Sequence, residues 1–273
     1  MDKEAVCDKW EKDIPRLIVS ETKEESIGLS EVLNLNTSVV PIIAGPCAVE
    51  SRKQLKAIGS FLKDKGVKLL RGGAYKPRTS PYSFQGLEEE GLKILKEIGE
   101  EYNLITVTEI LDIRNVEKVA RYADVLQIGA RNMFNYELLK EVGKQNKPVL
   151  LKRGLCATVM EFIYAAEYIA VEGNKNIILC ERGIRTYETS TRNTLDISSI
   201  PIIKQDIGLP LIVDLSHSLG RKDIVCPVAK AVLAAGADGI MVELHDNPQE
   251  ALCDGFQQLD FLEFTNLMDS ISF

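Results

Sequence analysis

The chain has 273 residues, 45% of them hydrophobic and 27% charged, enough to bury one large core or two small ones. A formal net charge of −7 argues against general binding to nucleic acid or to anionic membranes, so any anion this protein binds needs locally concentrated cations. No apolar run approaches the roughly 20 residues of a membrane span, and the N-terminal MDKEAVCDKWEKD is too charged for a signal peptide; a cytoplasmic protein is expected.

In chain order, residues 1 to 38 come first and are charged and interrupted, with RLIVS at Arg16–Ser20 their only strand-like stretch. The segment is short for a domain, so the expectation is an N-terminal extension, disordered to about residue 13 and otherwise a hairpin capping one end of the fold. From Val39 onward, β-rich apolar runs alternate with amphipathic stretches of helical length. The runs are VVPIIAG from Val39, VKLLRG from Val67, LITVTE from Leu104, VLQIGA from Val125, PVLLKRG from Pro148, IILCERG from Ile177, LIVDLSH from Leu211 and GIMVELH from Gly239. Helical periodicity follows most of them, as in QLKAIGSFLKDKG after the first and DIVCPVAKAVLAAGA after the seventh. Eight strand–helix pairs without a GxGxxG fingerprint predict an α/β fold, a closed (β/α)8 TIM barrel over residues 39–273.

In such barrels the chemistry sits at the C-terminal ends of the strands. Strand by strand these ends carry Cys47, Arg71, Glu109, Arg131, Lys152 with Arg153, Glu181 with Arg182, His217, and Glu243 with His245. The loop after the second strand, LRGGAYKPRTSPYSFQ, adds Lys76 and Arg78 beside paired glycines and several hydroxyls. Arginine offers a planar fork for phosphate or carboxylate and lysine a point charge, so the loop reads as an anion site; a solvated basic turn is the plainer alternative. Arg71, Lys76, Arg78, Arg131, Lys152 and Arg182 could together cage a multiply charged anion. Cys47, His217, Glu243 and Asp254 could form a mixed sulfur, nitrogen and oxygen site for a divalent metal. From spacing alone, a core cysteine and solvated carboxylates are the simpler account of that second set. His245 is a candidate to support the metal site from behind. The six cysteines, Cys7, Cys47, Cys156, Cys180, Cys226 and Cys253, contain no CxxC pair and are expected to be reduced, mostly as small buried hydrophobes, with Cys7 a tail thiol.

Taken together, GPCAVES, LRGGAYKPRTSPYSFQGL, IGARN, LLKRG, CERGIRT, DLSHS and ALCDG resemble 3-deoxy-D-arabino-heptulosonate 7-phosphate (DAHP) synthases, from about Pro41 to Phe261. The match is to the Iβ branch, related to 3-deoxy-D-manno-octulosonate 8-phosphate (KDO8P) synthases. The resemblance implies condensation of phosphoenolpyruvate with erythrose 4-phosphate and water, a (β/α)8 fold, and a divalent metal such as manganese, iron, zinc or cobalt. It implies metal ligation by Cys47, His217, Glu243 and Asp254. Phosphoenolpyruvate would meet Arg71, Lys76, Arg131, Lys152 and Arg182, with Ala130 and Asp214 also lining the substrate site. Arg78, Thr79 and Ser80 of KPRTS would hold the aldose phosphate. Cys47, Lys76 and His217 would be catalytic, Lys76 as a proton donor to the forming alkoxide. The group that activates water is left open among Glu109, a phosphate oxygen and the metal. A homotetramer is implied.

The chain departs from the family at Leu215, where proline is common, and at Leu219, where glycine is common, so the loop after the seventh strand is expected to take a different path. The short N-terminal segment leaves no room for a regulatory domain, and strong inhibition by aromatic amino acids is not expected. Pro77 before Arg78 separates the loop from the KANR-type sequence of KDO8P synthases. A non-catalytic phosphometabolite-binding barrel is the reading from another class; it would be expected to have lost a ligand or a cation, and every position is filled.

Overall fold

Eight parallel strands close a barrel in chain order: β1 (Ile42–Gly45), β2 (Leu69–Arg71), β3 (Ile105–Ile110), β4 (Val125–Ile128), β5 (Val149–Lys152), β6 (Ile177–Glu181), β7 (Leu211–Asp214) and β8 (Gly239–Glu243). β8 returns to β1 with Ile43 opposite Met241 and Gly45 opposite Glu243. This is a computed structural model, and it describes residues 17–21, 28–35 and 40–271. Its helices are α1 (Ile18–Glu21), α2 (Leu29–Val32), α3 (Arg52–Asp64), α4 (Glu88–Tyr102), α5 (Val116–Ala120), α6 (Tyr136–Gly143), α7 (Val159–Ala170), α8 (Ser199–Asp206), α9 (Leu215–Leu219), α10 (Val225–Ala234) and α11 (Phe261–Ile271). From α3 onward they fill the crossovers and cover the barrel. Local chemistry sets their ends: Ser51 accepts from Gln54 N to start α3, and Thr158 with Glu161 forms a reciprocal capping box on α7.

All eight sequence-predicted strands are present. The alternation of each strand sorts its side chains into two layers. Outward residues such as Ile42, Ala44, Leu70, Leu126 and Leu151 pack under the helices, in the core that includes Leu55, Leu92, Phe162 and Phe264. Inward residues form a second apolar cluster with a contribution from every strand: Ile43, Leu69, Val107, Val125, Leu150, Ile178, Ile212 and Met241. Leu29, Val32 and Leu33 join this inner cluster, and Leu29 lies beside Gly239 at the start of β8. The N-terminal end of the barrel is therefore plugged with aliphatic side chains.

Two sequence expectations give way here. RLIVS is not a strand. Its described residues enter α1, whose first N–H groups, on Ile18 and Val19, donate to the Glu167 carboxylate of α7 at 2.9 and 3.1 Å. A partner carboxylate outweighed the β preference of Ile–Val. No strand, and so no hairpin, occurs among the described residues before β1. LIVDLSH likewise stops being a strand at Asp214, because the Asp214 carboxylate accepts from His217 N and starts α9. Cys7 and the stretch expected to be disordered lie outside the described residues.

Candidate active site

One step of two residues along the inward face changes its character. Beyond the apolar layer the same face presents Arg71, Glu109, Gln127, Lys152, Asp214 and Glu243, two positions after Leu69, Val107, Val125, Leu150, Ile212 and Met241. Arg71, Glu109, Gln127 and Lys152 open onto a cavity of about 400 Å³ at the C-terminal end of the barrel. The loops supply the rest of its wall: Lys76, Arg78, Thr79 and Ser80 after β2, Ala130 and Arg131 after β4, Arg182 and Arg185 after β6, Arg192 beyond them, His217 on α9, and Asp254 after β8.

Some of these charges are already matched. Arg71 Nη1 donates to Glu243 Oε1 at 2.9 Å, with both side chains buried. Lys152 donates to Asp214, which also accepts from His217 Nδ1 at 2.8 Å and from His217 N at 3.0 Å. Burial alone would raise the pKa of Glu243, but His217, Arg71 and Lys76 outweigh it and lower the value to about 2. Asp214 is held well below the usual carboxylate range in the same way, with His217 and Lys152 overcoming burial.

Other cations have no carboxylate partner. Lys76 Nζ is buried and donates to Cys47 O at 3.0 Å, a path that Gly73 leaves open: a Cβ there would lie 2.8 Å from the Lys76 side chain. Burial pulls the Lys76 pKa down and Arg71 repels it, yet Cys47, Glu243 and Glu109 more than compensate, so Lys76 is held as an ammonium. Arg182 is 5% exposed and donates only to carbonyls, Gly183 O at 3.3 Å and His217 O at 3.1 Å; burial lowers its pKa. The side chains of Arg78, Arg131 and Arg185 make no hydrogen bond or ion pair with any described residue. In a chain of net charge −7, such a concentration of unneutralised guanidinium groups around one cavity calls for an anion.

Behind the cavity, donor atoms of Cys47, Glu243 and Asp254 all lie within 4.8 Å of one another. The Cys47 thiol donates to Asp254 Oδ2 at 3.5 Å. His217 stands just outside this group, with Nε2 3.5 Å from Glu243 Oε1. Because Asp214 can only accept, its bond to Nδ1 fixes the proton there and leaves the Nε2 lone pair facing the cluster. Burial also lowers the His217 pKa against the pull of Asp214 and Glu243, which favours the neutral imidazole a metal requires. A thiol, an imidazole and two carboxylates suit a divalent transition ion, so these residues fit such a metal. Asp254 takes a left-handed backbone (φ 51°), a conformation aspartate tolerates and one that tends to persist at functional sites.

Two rim expectations are corrected. Arg153 and Glu181 face away from the cavity, where Arg153 Nη1 donates to Glu181 and to Asp196, both at 2.8 Å, in a buried structural pair. His245 does not touch His217; its Nε2 lies 2.9 Å from Gln54 Nε2 and 3.4 Å from Glu50, and its Nδ1 accepts from Asn247 N. Sequence reasoning missed several contributors. Glu50 and Arg185 were visible within GPCAVES and CERGIRT, whereas Arg192, Gln257 and Gln258 carried no signal of spacing or charge pattern. Glu50 ties the first and last loops, accepting from Leu252 N at 2.9 Å.

A model of the DAHP synthetase I family matches residues 19–271. The chain is 57% identical over 230 residues to phospho-2-dehydro-3-deoxyheptonate aldolase of Thermotoga maritima, spanning 84% of this chain and 68% of that one. It is 31% identical over 234 residues to 2-dehydro-3-deoxyphosphooctonate aldolase of Geobacter sulfurreducens, covering 78% and 84% of the two chains. The crystal structure of the Thermotoga maritima DAHP synthase superposes with a TM-score of 0.83 over 85% of this chain and 68% of that chain. A truncated form of the Thermotoga maritima enzyme gives a TM-score of 0.79 at 52% identity, covering 85% of this chain and 84% of its own.

Proposed function

The chain belongs to the DAHP synthetase I family, and from that premise we propose that its cationic cavity binds both substrates while the Cys47 cluster holds the metal. The protein is a transferase that condenses phosphoenolpyruvate with D-erythrose 4-phosphate and water to give DAHP and phosphate, the first step of the shikimate pathway to aromatic amino acids. One observation supports the placement most directly: Arg78, Arg131, Arg182 and Arg185 reach the cavity without carboxylate partners, as a site for two phosphorylated anions requires.

In this reading Lys76, Arg131 and Arg182, with Arg71 and Lys152 beneath them, clamp phosphoenolpyruvate. Arg78, Thr79 and Ser80 hold the aldose phosphate, and Ala130 closes the wall between them. Holding both partners in one cavity makes their encounter effectively unimolecular. Lys76, kept as an ammonium, stabilises negative charge on the aldehyde oxygen by hydrogen bonding; its raised pKa favours that role over releasing its proton. Asp214 acts from below, fixing Lys152 and the tautomer of His217. Cys47, His217, Glu243 and Asp254 would hold the metal, with manganese, iron, zinc or cobalt selected by supply. When bound, such an ion polarises a carbonyl as a Lewis acid. A homotetramer working in the cytoplasm completes the proposal, and light scattering tests its mass. No helix among the described residues is long and apolar enough to cross a membrane.

Phosphate release by chelator-treated protein, with manganese restored, tests the reading. Turnover of erythrose 4-phosphate but not arabinose 5-phosphate is expected. Turnover of only the five-carbon sugar would move the chain to the octulosonate synthases, and turnover that survives chelation would overturn the metal assignment. Absence of turnover with both sugars would favour a binding protein.

A further inference from the structure

Gln257 and Gln258 sit side by side where the chain returns along β8, next to Leu259, whose N–H donates to Glu243 O at 2.9 Å. They are 1% and 0% exposed. Burying two amides where leucine or methionine would pack costs desolvation unless each polar end is satisfied, and here every end is. Gln257 Nε2 donates to Glu243 Oε2 at 2.6 Å, and its Oε1 accepts from Arg192 Nη1 at 2.7 Å; the same Arg192 Nη1 lies 3.4 Å from Asp254 Oδ2. Gln258 Oε1 accepts from Cys47 N at 3.0 Å, and its Nε2 donates to Cys253 O at 2.9 Å. The partners dictate both amide orientations, since a flip would set NH2 against an N–H or guanidinium.

The two amides thus touch Glu243 directly, the backbone of Cys47, the residue before Asp254, and Asp254 itself through Arg192. These groups come from β8, the loop after β1 and the loop after β8, and no backbone ladder joins all of them. We infer that Gln257 and Gln258 are positioning residues, a neutral clamp that sets the mutual geometry of Cys47, Glu243 and Asp254 for metal binding. The inference rests on the ligand assignment proposed above. A neutral amide fits the task because it orients the Glu243 carboxylate without adding charge to a crowded anionic cluster.

The test is a Co2+ titration of metal-free protein, followed by the thiolate-to-cobalt charge-transfer absorbance, which reads affinity and Cys47 geometry without turnover. Q257M and Q258M should each weaken Co2+ binding about 10–100-fold and shift the band. Their activity should recover at saturating Mn2+, while the shifted band at saturating Co2+ is the readout that a general loss of stability would not produce. Should a methionine variant fail to fold, Gln257→Asn or Gln258→Asn keeps the amide but is one methylene too short to span both partners, and should give the same weakening. Variants that fold and bind Co2+ with the parent affinity and band overturn the clamp. Cys47→Ala separates the two ideas: it should abolish the band, and if it instead titrates like the parent, the ligand assignment itself fails.

Discussion

The lower and upper halves of the barrel interior are built from the same eight strands, yet they do opposite work. Below, Ile43, Leu69, Val107, Leu150 and Met241 meet Leu29, Val32 and Leu33 in an apolar plug. Above, two residues further along the same inward face, Arg71 meets Glu243 and Lys152 meets Asp214. The backbone register is continuous, so the difference is entirely one of side chains. A buried ion pair is weak evidence for stability, because a well-packed apolar pair of similar volume is often as stable or more so. The upper layer is therefore best understood as kept for chemistry, and the lower as the source of stability.

That contrast can be broken by experiment. The largest effect is expected for Arg71→Met, which strands the buried Glu243 carboxylate; urea unfolding should show a loss of about 3–5 kcal/mol and phosphate release should fall to background. Leu150→Ala, in the fully buried lower layer, should cost about 2–5 kcal/mol in the same unfolding measurement while kcat/KM for both substrates stays at the parent value. A loss of turnover out of proportion to the folded fraction would erase the division of labour. Arg131→Ala removes an exposed cation with no partner, so its stability should change by within about 0.5 kcal/mol. Its KM for phosphoenolpyruvate should nonetheless rise by about 10–100-fold, the value of one charge-assisted contact. Smallest, Glu167→Ala removes the acceptor at the start of α1 and should cost about 1 kcal/mol, seen in hydrogen exchange at Ile18 and Val19 with turnover untouched.

The barrel was legible because its strands are short, β-branched and separated by amphipathic helices, and because period-two alternation is nearly context-free. Where a partner decided the conformation, the sequence was silent. RLIVS looked extended until Glu167, about 150 residues away, supplied an acceptor for a helix start. The site was legible where chemistry is written in charge: Arg71, Lys76, Arg78, Lys152 and Arg182 all reach the cavity. Charge alone misplaced Arg153, whose neighbours Glu181 and Asp196 pull it under the loop. Glutamine has no periodicity or charge to betray it, so Gln257 and Gln258 became visible only through what they touch.

Because β8 closes onto β1, Cys47 meets Asp254, a residue 207 positions further along the chain. A ribosome that has made the first strand and the KPRTS loop has therefore made Cys47 and the first cavity cations but neither Glu243 nor Asp254. The thiol is made early, and its carboxylate partners are made about 200 residues later. Closing so long a loop costs only modestly more entropy than closing a short one, but a chain terminated before Asp254 lacks donors needed to assemble the cluster. Assembly of the Cys47, Glu243 and Asp254 cluster thus waits on synthesis through the loop after β8.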